Sequence, residues 1–229
     1  MEFETIKPTT LSYLQELSKN NDRDWFNSHK DEYLYGYDNM CSFVGQLLIE
    51  MNKHDQLEND SAKKCLYRIY SDTRFSKDKA PYKTRFAAGF RRATKFKRGG
   101  YYLNISPGNN YLACGFFNPN AEDLKRIRQD IEYNFKEWNT ILNSKNIEEN
   151  FGNLTGNKVL TAPRGFNKDH EAIELIRYKQ FILRHDFTDQ EVISPGFLIS
   201  VNNVFKSVRP FFDHLSEILT TDENGETNV

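Results

Sequence analysis

The chain has 229 residues, 38% of them hydrophobic and including 18 Phe and 12 Tyr, a composition that excludes a disordered polypeptide and suffices for one buried core. With 31 Lys and Arg against 32 Asp and Glu the formal charge is −1, which argues against a surface that coats nucleic acid everywhere. The apolar runs are too short to span a bilayer, so no membrane partner is expected.

Near the start, Leu11, Leu14 and Leu17 recur at helical spacing, and the polar break at 20–23 separates them from a longer amphipathic segment. In that second helix Tyr33, Tyr37, Met40, Val44, Leu47 and Met51 recur every three or four residues and form one core-facing stripe. Trp25 and Phe26 stand at its entry, as a hydrophobic staple or as a pocket lining. From Cys65 the period changes to two, predicting a strand with Leu66, Arg68 and Tyr70 on one face and Cys65, Tyr67 and Ile69 on the other. Further strands are predicted at 84–92, 101–106 and 111–117, with turns at 98–100 and 107–110, and short connections imply an antiparallel meander.

Asn118 and Pro119 read as the cap and first-turn proline of a helix carrying Leu124, Ile127, Ile131 and Phe135. The Asn- and Gly-rich stretch 143–156 reads as a surface loop. A short helix at 173–177, a strand at 181–185 and a final helix at 195–219 follow. These elements predict a single α+β domain over 1–219, an antiparallel β-meander sheet of four or more strands packed by N-terminal, middle and C-terminal helices. The acidic tail 220–229 is expected to be disordered. No charged-then-apolar leader opens the chain, and Cys41, Cys65 and Cys114 are odd in number and widely spaced among apolar neighbours. Both features predict a cytoplasmic protein with buried thiols rather than disulfides or a zinc site.

The charge is unevenly distributed: residues 63–98 hold 13 Lys or Arg and 2 acids. At its centre lies Arg68-x-x-x-Asp72-x-Arg74-Phe75-x-x-x-Asp78-Lys79-x-x-Tyr82, which resembles the signature of the DUF2461 family of uncharacterised, mainly bacterial proteins. The resemblance extends to Asn21-x-Arg-Asp-Trp-Phe26, to Gly100-Tyr-Tyr-Leu-x-Ile-x-Pro-Gly108, and to Pro163-Arg-Gly-Phe-Asn-Lys-Asp-His170 with Arg177 and Lys179, covering nearly the whole chain. Ser71 departs from it, standing where the family commonly carries an arginine. The resemblance implies membership but no activity.

The residues themselves point to an anion. Arg68 and Arg74 present planar forks for a phosphate or carboxylate, and Lys77, Lys79 and Lys83 add point charges. Asp72 and Asp78 would orient the arginines, or hold Mg2+ together with ligand oxygens; no cofactor is otherwise evident. Tyr82, after the stiff Pro81, would offer a fixed hydroxyl. A second cluster, Lys168 and His170 with Arg177 and Lys179, lies near a predicted helix start and is expected as a second wall. Within 68–83, five basic groups face two acids, so self-pairing leaves a surplus. Three classes stay open: a binder of, or enzyme on, an anionic, phosphate-bearing small molecule; a nucleic-acid-binding module; and a structural or interaction protein whose charged loop is an architectural salt-bridge network. The first is the leading expectation, with no nucleophile named.

Overall fold

The computed structural model of the chain describes residues 3–74, 77, 79–221, 226 and 227. Four strands, β1 (Phe86–Arg91), β2 (Gly100–Ile105), β3 (Asn110–Phe116) and β4 (Phe181–Phe187), form one antiparallel sheet in the order β1-β2-β3-β4. That is the α+β meander its alternating pattern predicts. The chain sorts into two compact units: Met1–Phe90, Tyr102–Leu112 and Asp186–Asn203 make the first, and Arg91–Tyr101, Ala113–His185 and Val204–Val229 the second.

In the first unit α1 (Pro8–Lys19), α2 (Arg23–Ser28) and α3 (Lys30–Met51) open the chain. The polar break ends α1, and Asp22 restarts the chain as the α2 cap, its carboxylate accepting from the backbone N–H of Asp24 and Trp25. Leu14, Leu17, Met40, Phe43, Val44, Leu47 and Met51 are fully buried, as the 3.6-residue period requires. Buried Asn39 on α3 ties down the entry to α1, its Oδ1 accepting from Lys7 N at 2.9 Å and Thr10 Oγ1 at 2.9 Å. Phe197, which opens α10 (Phe197–Ser207), stacks on Phe43 at 5.6 Å and meets Phe187 edge-on at 5.0 Å.

The second unit contains α5 (Ala121–Tyr133), α6 (Phe135–Leu142), α7 (Lys145–Phe151) and α11 (Arg209–Thr220) around Trp138, Phe181, Phe211 and Phe212, all fully buried. Tyr101 meets Phe205 and Phe212 edge-on, each at 5.0 Å. Arg92 is buried: its Nη1 donates to Arg98 O, Phe212 O and Ser216 Oγ, and its Nη2 to Asp213. Gly115 lets the strands approach closely, since with φ +153 a Cβ there would lie 2.1 Å from Phe181 O.

Four sequence expectations need correction. Residues 65–70 do not form a regular strand: Cys65 ends the one-turn helix α4 (Ala62–Cys65), and the rest pairs only at isolated bridges, Leu66 with Ala88 and Tyr70 with Tyr82. The pairing shifts register by two residues between these bridges, so no continuous ladder joins them. The middle helix is capped by Asn120, which accepts from Asp123 N, and not by Asn118; Phe135 falls in the next helix. The 143–156 loop contains helix α7. The final helix is two, because Pro210 cannot continue α10 and instead opens α11. The tail expectation falls largely on 222–225 and 228–229, outside the described residues; Thr221 and Thr227 form an isolated bridge.

Candidate functional site

The 68–83 segment leaves and returns beside β1. Ser71 N donates to Pro81 O at 2.9 Å and Lys83 N to Ile69 O at 2.7 Å, closing the base of a long loop. Asn21 fixes its returning arm, donating from Nδ2 to Tyr82 O at 2.8 Å and accepting from Tyr82 N at 3.1 Å. Ser71 thus takes part in this pairing through its backbone. Tyr82 is buried with its ring stacked on Phe26 at 3.9 Å, and burial pushes its phenol up; it belongs to an aromatic cluster with Tyr70.

At the loop's outer end the charges satisfy one another. Arg74 grips Asp72 with both nitrogens of its fork, Nε at 3.0 Å and Nη2 at 2.8 Å, and this holds the Asp72 carboxyl below its usual range. Lys79 donates to Thr73 O at 2.9 Å, and Lys77 is exposed. Asp78 lies outside the described residues. Among the described residues no group of three or more His, Cys, Asp and Glu side chains is placed to hold a metal ion.

At the base the balance is different. Arg68 and Lys83 line a cleft of about 180 Å3 together with Tyr67, Arg85, Ala87 and Tyr102. Lys83 is oriented by donating to Arg68 O at 3.0 Å. Burial and the neighbouring Arg85 and Arg68 push its ammonium below the ordinary lysine value. Among the described residues no carboxylate lines this cleft, which three cations share, and Asp72 acts on Arg68 from outside it. Tyr102 is desolvated there, which pushes its phenol up although Arg85 acts against the shift.

The second predicted cluster lies in the other unit and its members have local tasks. His170 Nδ1 accepts from Ala172 N at 3.1 Å, at the entry to α8 (Ile173–Ile176), a single turn with little dipole to offer. Arg177 donates to Glu174 at 2.7 Å, to Val159 O at 2.8 Å and to Leu160 O at 2.9 Å, pinning the preceding loop. Lys168 and Lys179 are exposed, and Lys179 contributes its backbone N–H to Asn157 O. A larger groove of about 540 Å3 in the same unit contains Asp130, His214 and Arg126. There Trp138 Nε1 donates to Asp130 at 2.7 Å and Arg126 donates to Leu219 O and Thr221 O, whereas His214 Nε2 lies 3.4 Å from Asp130 without a hydrogen bond.

Sequence reasoning selected Arg68 and Lys83 but missed Arg85, Tyr67 and Tyr102. The signal for Arg85 was present: Lys83, Arg85 and Ala87 alternate at the entry to β1 and share one face. Tyr67 escaped because strict alternation placed it opposite Arg68, whereas the irregular backbone turns both into the cleft. Tyr102 depends on the pairing register of β2 against β1 across an eight-residue connection.

An α+β meander protein with a basic cleft beside its first strand is thus defined by fold and site. The chain belongs to the family described as Conserved hypothetical protein (DUF2461), which matches residues 9–214. No curated protein and no solved structure matches it.

Proposed function

We propose that the chain binds a phosphate-bearing anionic ligand in the cleft formed by Arg68, Lys83 and Arg85. The observation that carries this reading is the convergence of three cations on one cleft with no carboxylate in its lining among the described residues. Like charges held close together raise the energy of the empty site, and a dianion between two guanidinium forks relieves that cost with charge-assisted hydrogen bonds. The Asp72–Arg74 pair and the Lys79 contact favour a second, architectural role for the outer loop, which holds the returning arm in place. We place the protein in the cytoplasm, in keeping with its three free cysteines. Among the described residues no helix is long and apolar enough to cross a membrane.

Calorimetric titration with inorganic phosphate tests the reading. Arg85→Ala and Arg68→Ala are expected to weaken binding about tenfold or more each, as loss of a hydrogen bond to a charged group does. Lys77→Ala, at an exposed cation outside the cleft lining, serves as the control and leaves affinity unchanged. Absence of phosphate binding, or equal affinity for wild type and Arg85→Ala, overturns it.

A further inference from the structure

The cleft is smaller than the roughly 300–1,000 Å3 of pockets that enclose a whole drug-sized ligand, so at about 180 Å3 it accepts a headgroup while the remainder of the ligand lies outside. What lies beside it is aromatic. Tyr67 and Tyr102 line the cleft itself, with ring centroids 5.9 Å apart, and Tyr111 continues the row at 5.9 Å from Tyr102. Tyr102 on β2 and Tyr111 on β3 are half-buried, and Tyr67 is 52% exposed. Their neighbours are small. Ala87 lines the cleft, and Gly89 leaves the space in which the Tyr67 phenol lies, its oxygen 2.7 Å from where a Cβ would stand. A row of three phenol rings at the margin of the solvated face is not needed by the core, because the buried face of the same strands is already filled by Phe86, Phe90, Leu103, Ile105 and Leu112.

From this juxtaposition we infer that the ligand is a nucleotide, its phosphate held by Arg68, Lys83 and Arg85 and its planar base stacked on Tyr102, with Tyr67 and Tyr111, tilted 53° and 36° to that ring, flanking it at the edges. The inference rests on the phosphate reading above and assigns the part of the ligand that reading leaves open. Aromatic side chains next to a cationic groove accept any base by its π-face, so the site discriminates a nucleotide from a sugar phosphate more strongly than one base from another. Free nucleotides and units of a single strand share this chemistry.

Calorimetric titrations of the full chain with ribose 5-phosphate, AMP and a short single-stranded oligonucleotide test it. AMP is expected to bind about fivefold or more tighter than ribose 5-phosphate, the increment of one stacked base. Tyr102→Ala lowers AMP to the level of ribose 5-phosphate, and Tyr102→Phe keeps the preference, since the ring and not the hydroxyl stacks. Tyr67→Ala, at an exposed ring whose removal leaves the fold intact, narrows the preference independently. An oligonucleotide that binds tighter than AMP assigns the strand as ligand, and equal affinities assign the mononucleotide; both support the inference. Equal binding of AMP and ribose 5-phosphate by the wild type, or an AMP preference that survives Tyr67→Ala and Tyr102→Ala, overturns it while leaving the phosphate site standing. Failure of both phosphates to bind overturns the phosphate site as well.

Discussion

Two arginines seven residues apart have opposite duties. Arg92 is buried and serves as a four-point clasp on α11 and on Arg98 just before β2, whereas Arg85 is exposed and has no hydrogen-bonded or ion-pair partner among the described residues. Arg92→Ala removes four hydrogen bonds and empties a buried site, and is expected to lower unfolding free energy by about 2 kcal/mol or more, measured by denaturant titration. Arg85→Ala removes only a charge repelled by Lys83 and Arg68 and leaves the melting temperature unchanged or slightly raised. Lys83 adds a pH signature. Its folded pKa lies below the ordinary 10.5, so the folded state holds fewer protons than the unfolded state between the two values. Stability attributable to Lys83 therefore rises with pH through that window, and its penalty is fully present below it. The melting temperature of Lys83→Met relative to wild type is expected to be higher at pH 7 than at pH 10.5; a pH-independent difference contradicts the depression.

At the scale of elements, α5, α6 and α11 meet at Asp130. Burial alone would push this carboxyl up, but the approach of His214 at 3.4 Å and hydrogen bonds from Trp138 and Asn134 outweigh burial and hold it below the ordinary 3.8. A carboxyl with a lowered folded pKa stabilises the protein fully above its unfolded value, and that contribution is lost as pH falls through the folded one. Asp130→Asn is expected to destabilise the fold at pH 7 and to differ less from wild type at pH 3, followed by chemical denaturation at both pH values. Most of these elements were readable beforehand, because helical and strand periods, turn glycines and Asn or Asp caps are local signals. The errors share a cause. Residues 65–70 alternate like a strand, yet a strand exists only where a partner ladder accompanies it, and the two-residue register shift between the Leu66–Ala88 and Tyr70–Tyr82 bridges denies one. Helix α7 sits in a polar, glycine-rich stretch where only the burial of Ile147 and Phe151 selects it.

For the whole molecule, a formal charge of −1 offers no long-range attraction to anions, so affinity must come from the local field of the cleft. Phosphate binding is therefore expected to weaken by less than about tenfold between 50 and 200 mM salt, against the roughly 10³–10⁵ lost by proteins that neutralise many DNA phosphates. Titration at both ionic strengths measures this, and a steep loss points to an extended polyanion surface. The amino-acid sequence by itself determined the α+β class, the buried helical stripes, the family and the segment in which the surplus charge lies, because these follow from periodicity, composition and motif. Only the tertiary structure decided which charges pair and which converge. Arg74 meets Asp72, and Arg177 meets Glu174 and two carbonyls, while Arg68, Lys83 and Arg85 converge with Tyr67 and Tyr102 from three separate stretches of chain. Pairing depends on distances of a few ångströms between residues remote in sequence, and those distances are set by strand register and by the closed base of the loop.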